Sequence, residues 1–228
     1  MRRHGLYGIV FALVFGCFAN QARAETYRQY VKLWNTTWAT YLAEESIPLP
    51  QRGVVVQSQD LPIVINRPLD EVYDIYANVY NAIGLHPFLK QIIPIRYEFP
   101  RAVPTFDFIA LEDIPLPDGT IFHGVTVAQQ RFHERHHYYD VDTFDQPGVI
   151  PHQHIVFTAI DCEHTQVVEH LTFEAPPDLI AQAVQGGVFA HVAVQAGLKA
   201  NIESGVLRVT PLDELIEGDL RGFFGHDR

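Results

Sequence analysis

One imidazole and one carboxylate fall where the sequence pattern expects apolar side chains. His191 is central in a helical stripe with three- and four-residue steps, which comprises Ile180, Val184, Val188, His191, Gln195, Leu198 and Ile202. An imidazole there can orient a ligand carbonyl or hydroxyl, or transfer protons near neutral pH. The alternative is a core histidine satisfied by one hydrogen bond. Gln195, one turn further on, either supplies a second polar contact or lies at the edge of the stripe.

Glu169 is the carboxylate, in the second strand of a predicted hairpin that turns at residues 161–163. This turn pairs residue 155 with 169 and gathers one apolar face, made of Ile155, Phe157, Ala159, Val167, Leu171 and Phe173. Glu169 shares that face. Because burial of a carboxylate is costly unless it is paired or protonated, such a position often marks function. A register shifted by one residue would instead turn Glu169 to solvent.

The same register puts His152, His154 and His170 together on the opposite face of the hairpin. His-x-His with a cross-strand partner has the geometry to hold zinc or another metal that binds imidazole. However, this face should be wet, and Thr158 stands where a cupin-type metal site would need glutamate. We therefore favour surface histidines without metal, predict no cofactor, and keep the three histidines as weaker metal candidates.

His86 precedes Pro87 in a predicted loop between short helices. Its side chain either lines the rim of a pocket or caps a helix. The three serines, at positions 46, 58 and 204, have no nucleophile context, which argues against serine hydrolysis.

The charge balance limits the partners. The chain has 228 residues with 16 Lys and Arg against 27 Asp and Glu, a formal net charge of −11. An acidic surface argues against nucleic acids and anionic membranes as electrostatic partners. Neutral, apolar or cationic small molecules remain as ligands.

Residues 1–24 resemble an export signal. Arg2 and Arg3 precede an apolar run over 6–18, and Ala22-Arg23-Ala24 fits a cleavage site, so we predict a periplasmic or secreted mature protein. The alternative is lipidation at Cys17, since Val14-Phe15-Gly16-Cys17 faintly resembles a lipoprotein box. The apolar run is shorter than the about 20 residues of a membrane span, and we predict no span in the mature chain.

The remaining pattern predicts an α+β fold. Residues 25–45 are predicted to form a helix with a stripe of Tyr27, Val31, Trp34, Trp38 and Tyr41 or Leu42, which packs on the main domain or meets a protein partner. A linker up to about residue 50, a strand over 54–66, and short helices from residue 69 and over 88–93 come next. Six further strands lead to a long helix over 177–207, followed by a tail from 209. Because the strands are grouped, we expect an antiparallel sheet whose apolar mouth is covered by the long helix.

The order of these segments resembles the START-like, or SRPBCC, helix-grip superfamily over about Val54–Leu207. The resemblance rests on the strand that leads into Asn66-Arg67-Pro68-Leu69-Asp70-Glu71-Val72-Tyr73, on Leu85-His86-Pro87, on the hairpin at 161–167 and on the final long helix. It implies a curved antiparallel sheet with two short helices and a long C-terminal helix, here with an extra N-terminal helix. The implied START-like domain spans residues 51–208.

This resemblance implies a carrier of a lipid-like or polyketide-like hydrophobic molecule held between the sheet and the last helix. The residues expected to contact such a ligand are His191, Gln195, Val188, Val184, Leu198, Glu169, Phe157, Leu171 and His86. Some members of the superfamily are cyclases or dehydratases, which makes His191 and Glu169 a candidate proton-transfer pair. A third hypothesis is a protein-interaction module that uses the aromatic N-terminal helix.

Overall fold

The computed structural model describes residues 7–99, 102–115, 118–144 and 148–224, and their side chains from residue 25 to 222. The described elements are α1 (Tyr7–Glu45), β1 (Val55–Ile65), α2 (Leu69–Tyr76), β2 (Leu89–Glu98), β3 (Thr105–Pro115), β4 (Ile121–His133), β5 (Tyr138–Phe144), β6 (Ile150–Ala159), β7 (Thr165–Ala175), α3 (Ile180–Glu203) and α4 (Leu212–Phe224). A short 3-10 helix, Val79–Ala82, follows α2. The predicted α+β architecture, with a long helix after the strands and an additional N-terminal helix, is confirmed.

The seven strands form one curved antiparallel sheet in the order β1-β7-β6-β5-β4-β3-β2. The strand predicted over 54–66 is β1, which lies at an edge and therefore tolerates Pro62, as expected of a proline in a sheet. Helices α2 and α3 pack with inward-facing side chains of the sheet in the main core. Its large members include Ile65, Tyr76, Phe106, Phe108, Phe132, Tyr139, Phe157 and Leu198.

Helix α1 packs on the other face of the sheet through its aromatic stripe. Trp34 is 2% exposed, donates from Nε1 to the carbonyl of Ala128 at 3.2 Å, and stacks on Trp38. Ile93, Ile109, Val127, Phe144 and Ile150 complete this second core. The prediction that the stripe packs on the main domain is confirmed, so these rings are not free for a protein partner.

Two segments differ from the sequence-based expectation. The short helix predicted over residues 88–93 is wrong, because Leu89–Glu98 forms β2. Its Ile92 faces the main core while Ile93 faces the α1 core, and bulges interrupt its pairing with β3. A strand buried on both faces has apolar neighbours that imitate helical spacing. The second difference is the tail, in which residues 212–224 form helix α4 and bury Ile216.

Helix α3 is fixed to β1 by polar contacts along its length. Gln195 Nε2 donates to the carbonyl of Leu61 at 2.9 Å, and Lys199 Nζ donates to that of Val64 at 2.6 Å. A glycine also lets the helix approach β7 closely, since a Cβ on Gly187 would lie 2.5 Å from the ring of Phe173. Together these contacts set the height of α3 above the sheet.

Among the described residues, no helix combines the length and the apolar character that crossing a bilayer requires. Residues 1–6 of the predicted export signal lie outside the residues that the structure describes. Residues 7–24 continue the backbone of α1.

Candidate functional site: a buried glutamate and a histidine

Glu169 lies on β7 and faces the concave side of the sheet. It pairs with Ile155 on β6 and Leu61 on β1, which is the register that the hairpin predicted. Its inward neighbours Val167 and Leu171 are apolar and buried, and Glu169 itself is only 2% exposed. The strand pattern therefore places an ionisable group inside the core, where it requires polar partners.

His191 is the first of those partners. It projects from α3 toward the sheet, and its Nδ1 lies 2.5 Å from Glu169 Oε2. In the arrangement where Nδ1–H donates to the carboxylate, Nε2 is left for another group, and no described residue bonds to it. The carboxylate thus fixes the orientation of the ring and the position of its proton.

Tyr76 on α2 is the second partner, and its hydroxyl donates to Glu169 Oε1. Burial, followed by the charge of Glu169, raises the pKa of Tyr76 well above its ordinary value, so the phenol stays a proton donor. The ring of Tyr139 is also buried near this carboxylate. Gln195 lies one turn beyond His191, hydrogen-bonded to β1 and close to the Tyr76 hydroxyl. Each oxygen of Glu169 consequently has a donor.

His86 lies near this group but has a different set of contacts. Its Nδ1 accepts hydrogen bonds from the backbone N–H groups of Phe88 at 3.2 Å and Leu89 at 3.0 Å, which caps the start of β2. Burial, and then the charge of nearby His191, lowers the pKa of His86 to about 4. His86 is therefore neutral at physiological pH. It caps the first residues of strand β2, whereas the sequence led us to expect a cap on a helix.

Helix α3 also carries exposed apolar side chains close in sequence to His191. Phe189 and Val192 on α3 are exposed, at 59% and 48%, and the ring of Phe189 lies 6.2 Å from that of Phe88. Val184 and Val188 are partly buried in a satellite cluster around Leu171 and Phe173. Phe189 and Val192 lie within two residues of His191 along α3, and together with Phe88 we call them the apolar rim.

The inner side of the site is filled by aromatic rings. Phe157 contacts Tyr76 with ring centroids 5.4 Å apart and Tyr139 at 5.9 Å. Leu198 is buried in the same core. Next to Glu169, side chains thus occupy the apolar space expected between sheet and helix. His191 is the accessible member of the pair.

Of the three histidines predicted on the outer face, His154 and His170 pair across β6 and β7 with ring centroids 5.9 Å apart, and each of the three binds an aspartate. His154 binds Asp140 and His170 binds Asp60, each through Nδ1, at 2.7 and 2.8 Å. His152 binds Asp142 at 2.7 Å. Carboxylates that the sequence did not place nearby therefore stand beside every one of them.

His152 is also the member of this set that joins a group with metal-ligand spacing. Its ligand nitrogen and the carboxylates of Glu45 and Glu174 lie within 4.8 Å of one another. Arg52 already stands between the two carboxylates, bonded to Glu45 and 2.7 Å from Glu174. Because its guanidinium supplies the positive charge that a metal would supply, we interpret this cluster as an ionic contact between the end of α1 and the sheet.

Tyr76 at the site, and Arg52 in the ionic contact on the outer face, are not among the sequence-based candidates. The sequence pattern places Tyr76 in the core, and it is buried, but the spacing of α2 does not show that its hydroxyl reaches β7. Arg52 lies in the linker after α1, where periodicity carries no signal. The contacts of Tyr76 with Glu169 and of Arg52 with Glu174 join distant parts of the chain and depend on the tertiary fold.

Comparison with solved structures identifies the architecture. An aromatase/cyclase, Zhui from Streptomyces sp. R1128, superposes with a TM-score of 0.51 at 15% identity over 67% of this chain and 97% of its own. The protein TTHA0849 from Thermus thermophilus gives 0.50 at 15% identity over 65% and 99%. The chain has the START-like helix-grip fold. A START superfamily protein from Mycobacterium smegmatis is also similar, with a TM-score of 0.47 at 12% identity over 64% and 97%.

The sequence itself matches no protein-family model and no curated protein. At these identities the helix-grip similarity establishes the fold, and the function has to be argued from the side chains of this chain.

Proposed function

We propose that this helix-grip protein binds a hydrophobic or amphipathic small molecule at the apolar rim, with His191 as its polar contact. The observation that carries the proposal is the 2.5 Å contact between His191 Nδ1 and Glu169 Oε2, which fixes the imidazole and leaves Nε2 without a partner among the described residues. A polar atom held at an apolar surface is the usual composition of a small-molecule site.

The apolar rim supplies the affinity in this proposal. Phe189 is 59% exposed and Val192 is 48% exposed, although both lie on the helix that covers the sheet. Covering apolar surface contributes roughly 25 cal/mol per Å² before the costs of association. Because rings fill the inner side of Glu169, the ligand meets the pair from the side of His191.

A fluorescence titration with the apolar probe N-phenyl-1-naphthylamine tests this site. We expect Phe189→Asp to weaken probe binding at least tenfold, because it puts a charge on the rim. Val206→Asp is the matched control, since Val206 is 71% exposed beyond the end of α3 and should change nothing. Equal affinities for the two variants, or no probe binding to the wild type, would refute the proposal.

The same geometry favours a second function, proton transfer of the kind a cyclase or dehydratase performs. A carboxylate that orients Nδ1 increases the ability of Nε2 to accept a proton, and the Tyr76 hydroxyl holds that carboxylate in place. Its test is deuterium exchange into the methyl group of acetophenone in D₂O, followed by NMR. Catalysed exchange by the wild type that His191→Gln abolishes would support it, and equal rates for both would refute it.

We further propose that residues 1–24 act as an export leader and that the mature protein works in the periplasm or outside the cell. The positive start, the apolar run and Ala22-Arg23-Ala24 support this. Amino-terminal sequencing after expression in a bacterial host tests it, with Glu25 expected as the first residue. Retention of residues 1–24, or lipid attached to Cys17, would contradict it.

A further inference from the structure

A recess of about 230 Å³ lies between α2, the ends of β2 and β4, and the segment that joins α3 to α4. Neither Glu169 nor His191 lines it. Its volume is below the about 300–1,000 Å³ of pockets for drug-sized ligands, so its occupant is small.

Three aromatic rings form walls of this recess. Tyr73 on α2 and Phe132 on β4 are buried, and Tyr97 on β2 is half-buried. The Tyr73 hydroxyl donates to the backbone carbonyl of Tyr138 at 3.4 Å, so this group is already engaged. Burial raises the pKa of Tyr97, which keeps that phenol neutral. The walls consequently offer uncharged aromatic rings.

Two carboxylates, Asp74 and Glu134, stand at the same recess and are exposed to solvent. Burial, then the charges of Asp70 and Glu134, raises the pKa of Asp74, while His137 acts in the opposite direction. Nearby His137 contacts Asp70 at 2.9 Å. In the described part of the chain, no lysine or arginine nitrogen lies within 4.0 Å of either carboxylate.

We propose that this recess binds a small organic ammonium ion with an alkylated head group. Aromatic faces attract cations within about 6 Å of the ring centroid, and alkylated ammonium groups suit aromatic walls because they need few hydrogen bonds. The two carboxylates at the opening supply the opposite charge. Three rings and two acids therefore select for a cation that is also apolar, and against both anions and bare metal ions.

The test is isothermal titration calorimetry of the full chain with choline and with 3,3-dimethyl-1-butanol, its neutral isostere. We expect choline to bind at least tenfold more tightly than the alcohol. The double variant Asp74→Asn/Glu134→Gln should weaken choline binding at least fivefold, and Tyr97→Leu should weaken it as well. The matched control is Glu163→Gln/Asp178→Asn, which neutralises two exposed acids that do not line the recess and should leave the affinity unchanged.

Equal binding of choline and the alcohol would overturn the proposal, as would unchanged affinity in the Asp74→Asn/Glu134→Gln variant. Flotation with phosphatidylcholine vesicles distinguishes the two sources of such a head group. Vesicle binding that the same double variant removes indicates a lipid head group, and choline binding without vesicle binding indicates a free ion. Phe189→Asp should leave choline binding unchanged, so this site and the apolar rim are tested separately.

Discussion

His191 and Glu169 lie 22 residues apart on different elements, yet their side chains meet at 2.5 Å in the core. The contact joins the helix that covers the sheet to the strand beneath it. Because the carboxylate is almost fully buried, it depends on His191 and on the Tyr76 hydroxyl for its polar partners.

The first prediction concerns this coupling. In a double-mutant cycle with Glu169→Gln and His191→Gln, we expect a coupling of about 1–3 kcal/mol in the free energy of unfolding, since hydrogen-bonded neighbours are not additive. Urea denaturation of the four proteins measures it. A cycle of Glu169→Gln with His123→Gln is the control, because His123 is on β4, three strands away from β7. Additive effects in the first cycle would contradict the observed contact.

The second prediction uses two adjacent glycines of α3. Gly187→Ala should destabilise the fold by about 1–3 kcal/mol, because the new Cβ would lie 2.5 Å from the Phe173 ring and force a shift. Gly186→Ala meets nothing within 4 Å and should be neutral or stabilising by up to about 1 kcal/mol. Thermal denaturation of both variants gives the comparison. The same effect from both would mean that α3 is not held this close to β7.

The third prediction tests how α1 is attached. Trp34→Ala should cost about 3–5 kcal/mol of stability, because it removes a buried indole and its hydrogen bond to Ala128. Leu42→Ala on the same helix removes a side chain that is 54% exposed and should change stability by less than about 0.5 kcal/mol. Urea denaturation distinguishes them. Similarly small effects of the two substitutions would mean that α1 does not pack on the sheet.

The fourth prediction is a pH dependence set by His86. The pKa is about 4 in the folded chain and about 6.5 when unfolded, so the unfolded state binds more protons between these values. The contribution of neutral His86 to the free energy of unfolding is therefore fully present above pH 6.5. It decreases by on the order of 3 kcal/mol as the pH falls toward 4.

Denaturation of the wild type and His86→Gln at several pH values measures this loss. The wild type should lose stability relative to the variant as the pH falls from 6.5 to 4. A difference between them that is constant across this window would refute the assignment.

The sequence predicted the elements whose spacing is regular. The 155–169 pairing followed from one tight turn, and this register was enough to place Glu169 inside. The stripe on α3 likewise pointed His191 at the sheet. In contrast, β2 was misassigned because apolar cores on both of its faces remove the alternation by which a strand is recognised.

The periodicity of the sequence could not predict contacts between distant segments. The Tyr76 hydroxyl reaches Glu169 across 93 residues, and Gln195 reaches Leu61 across 134. The occupation of the interior by Tyr139 and Phe157 also depends on rotamers that a binary pattern does not specify. Local rules therefore located the pair, while its surroundings had to come from the structure.

Native mass spectrometry of the protein purified from cells tests the central claim most directly. The account predicts that an apolar organic molecule copurifies with the wild type and with Val206→Asp and is missing from Phe189→Asp. If the wild type carries no such molecule, or if the molecule stays bound to Phe189→Asp, the apolar rim beside His191 is not a binding site.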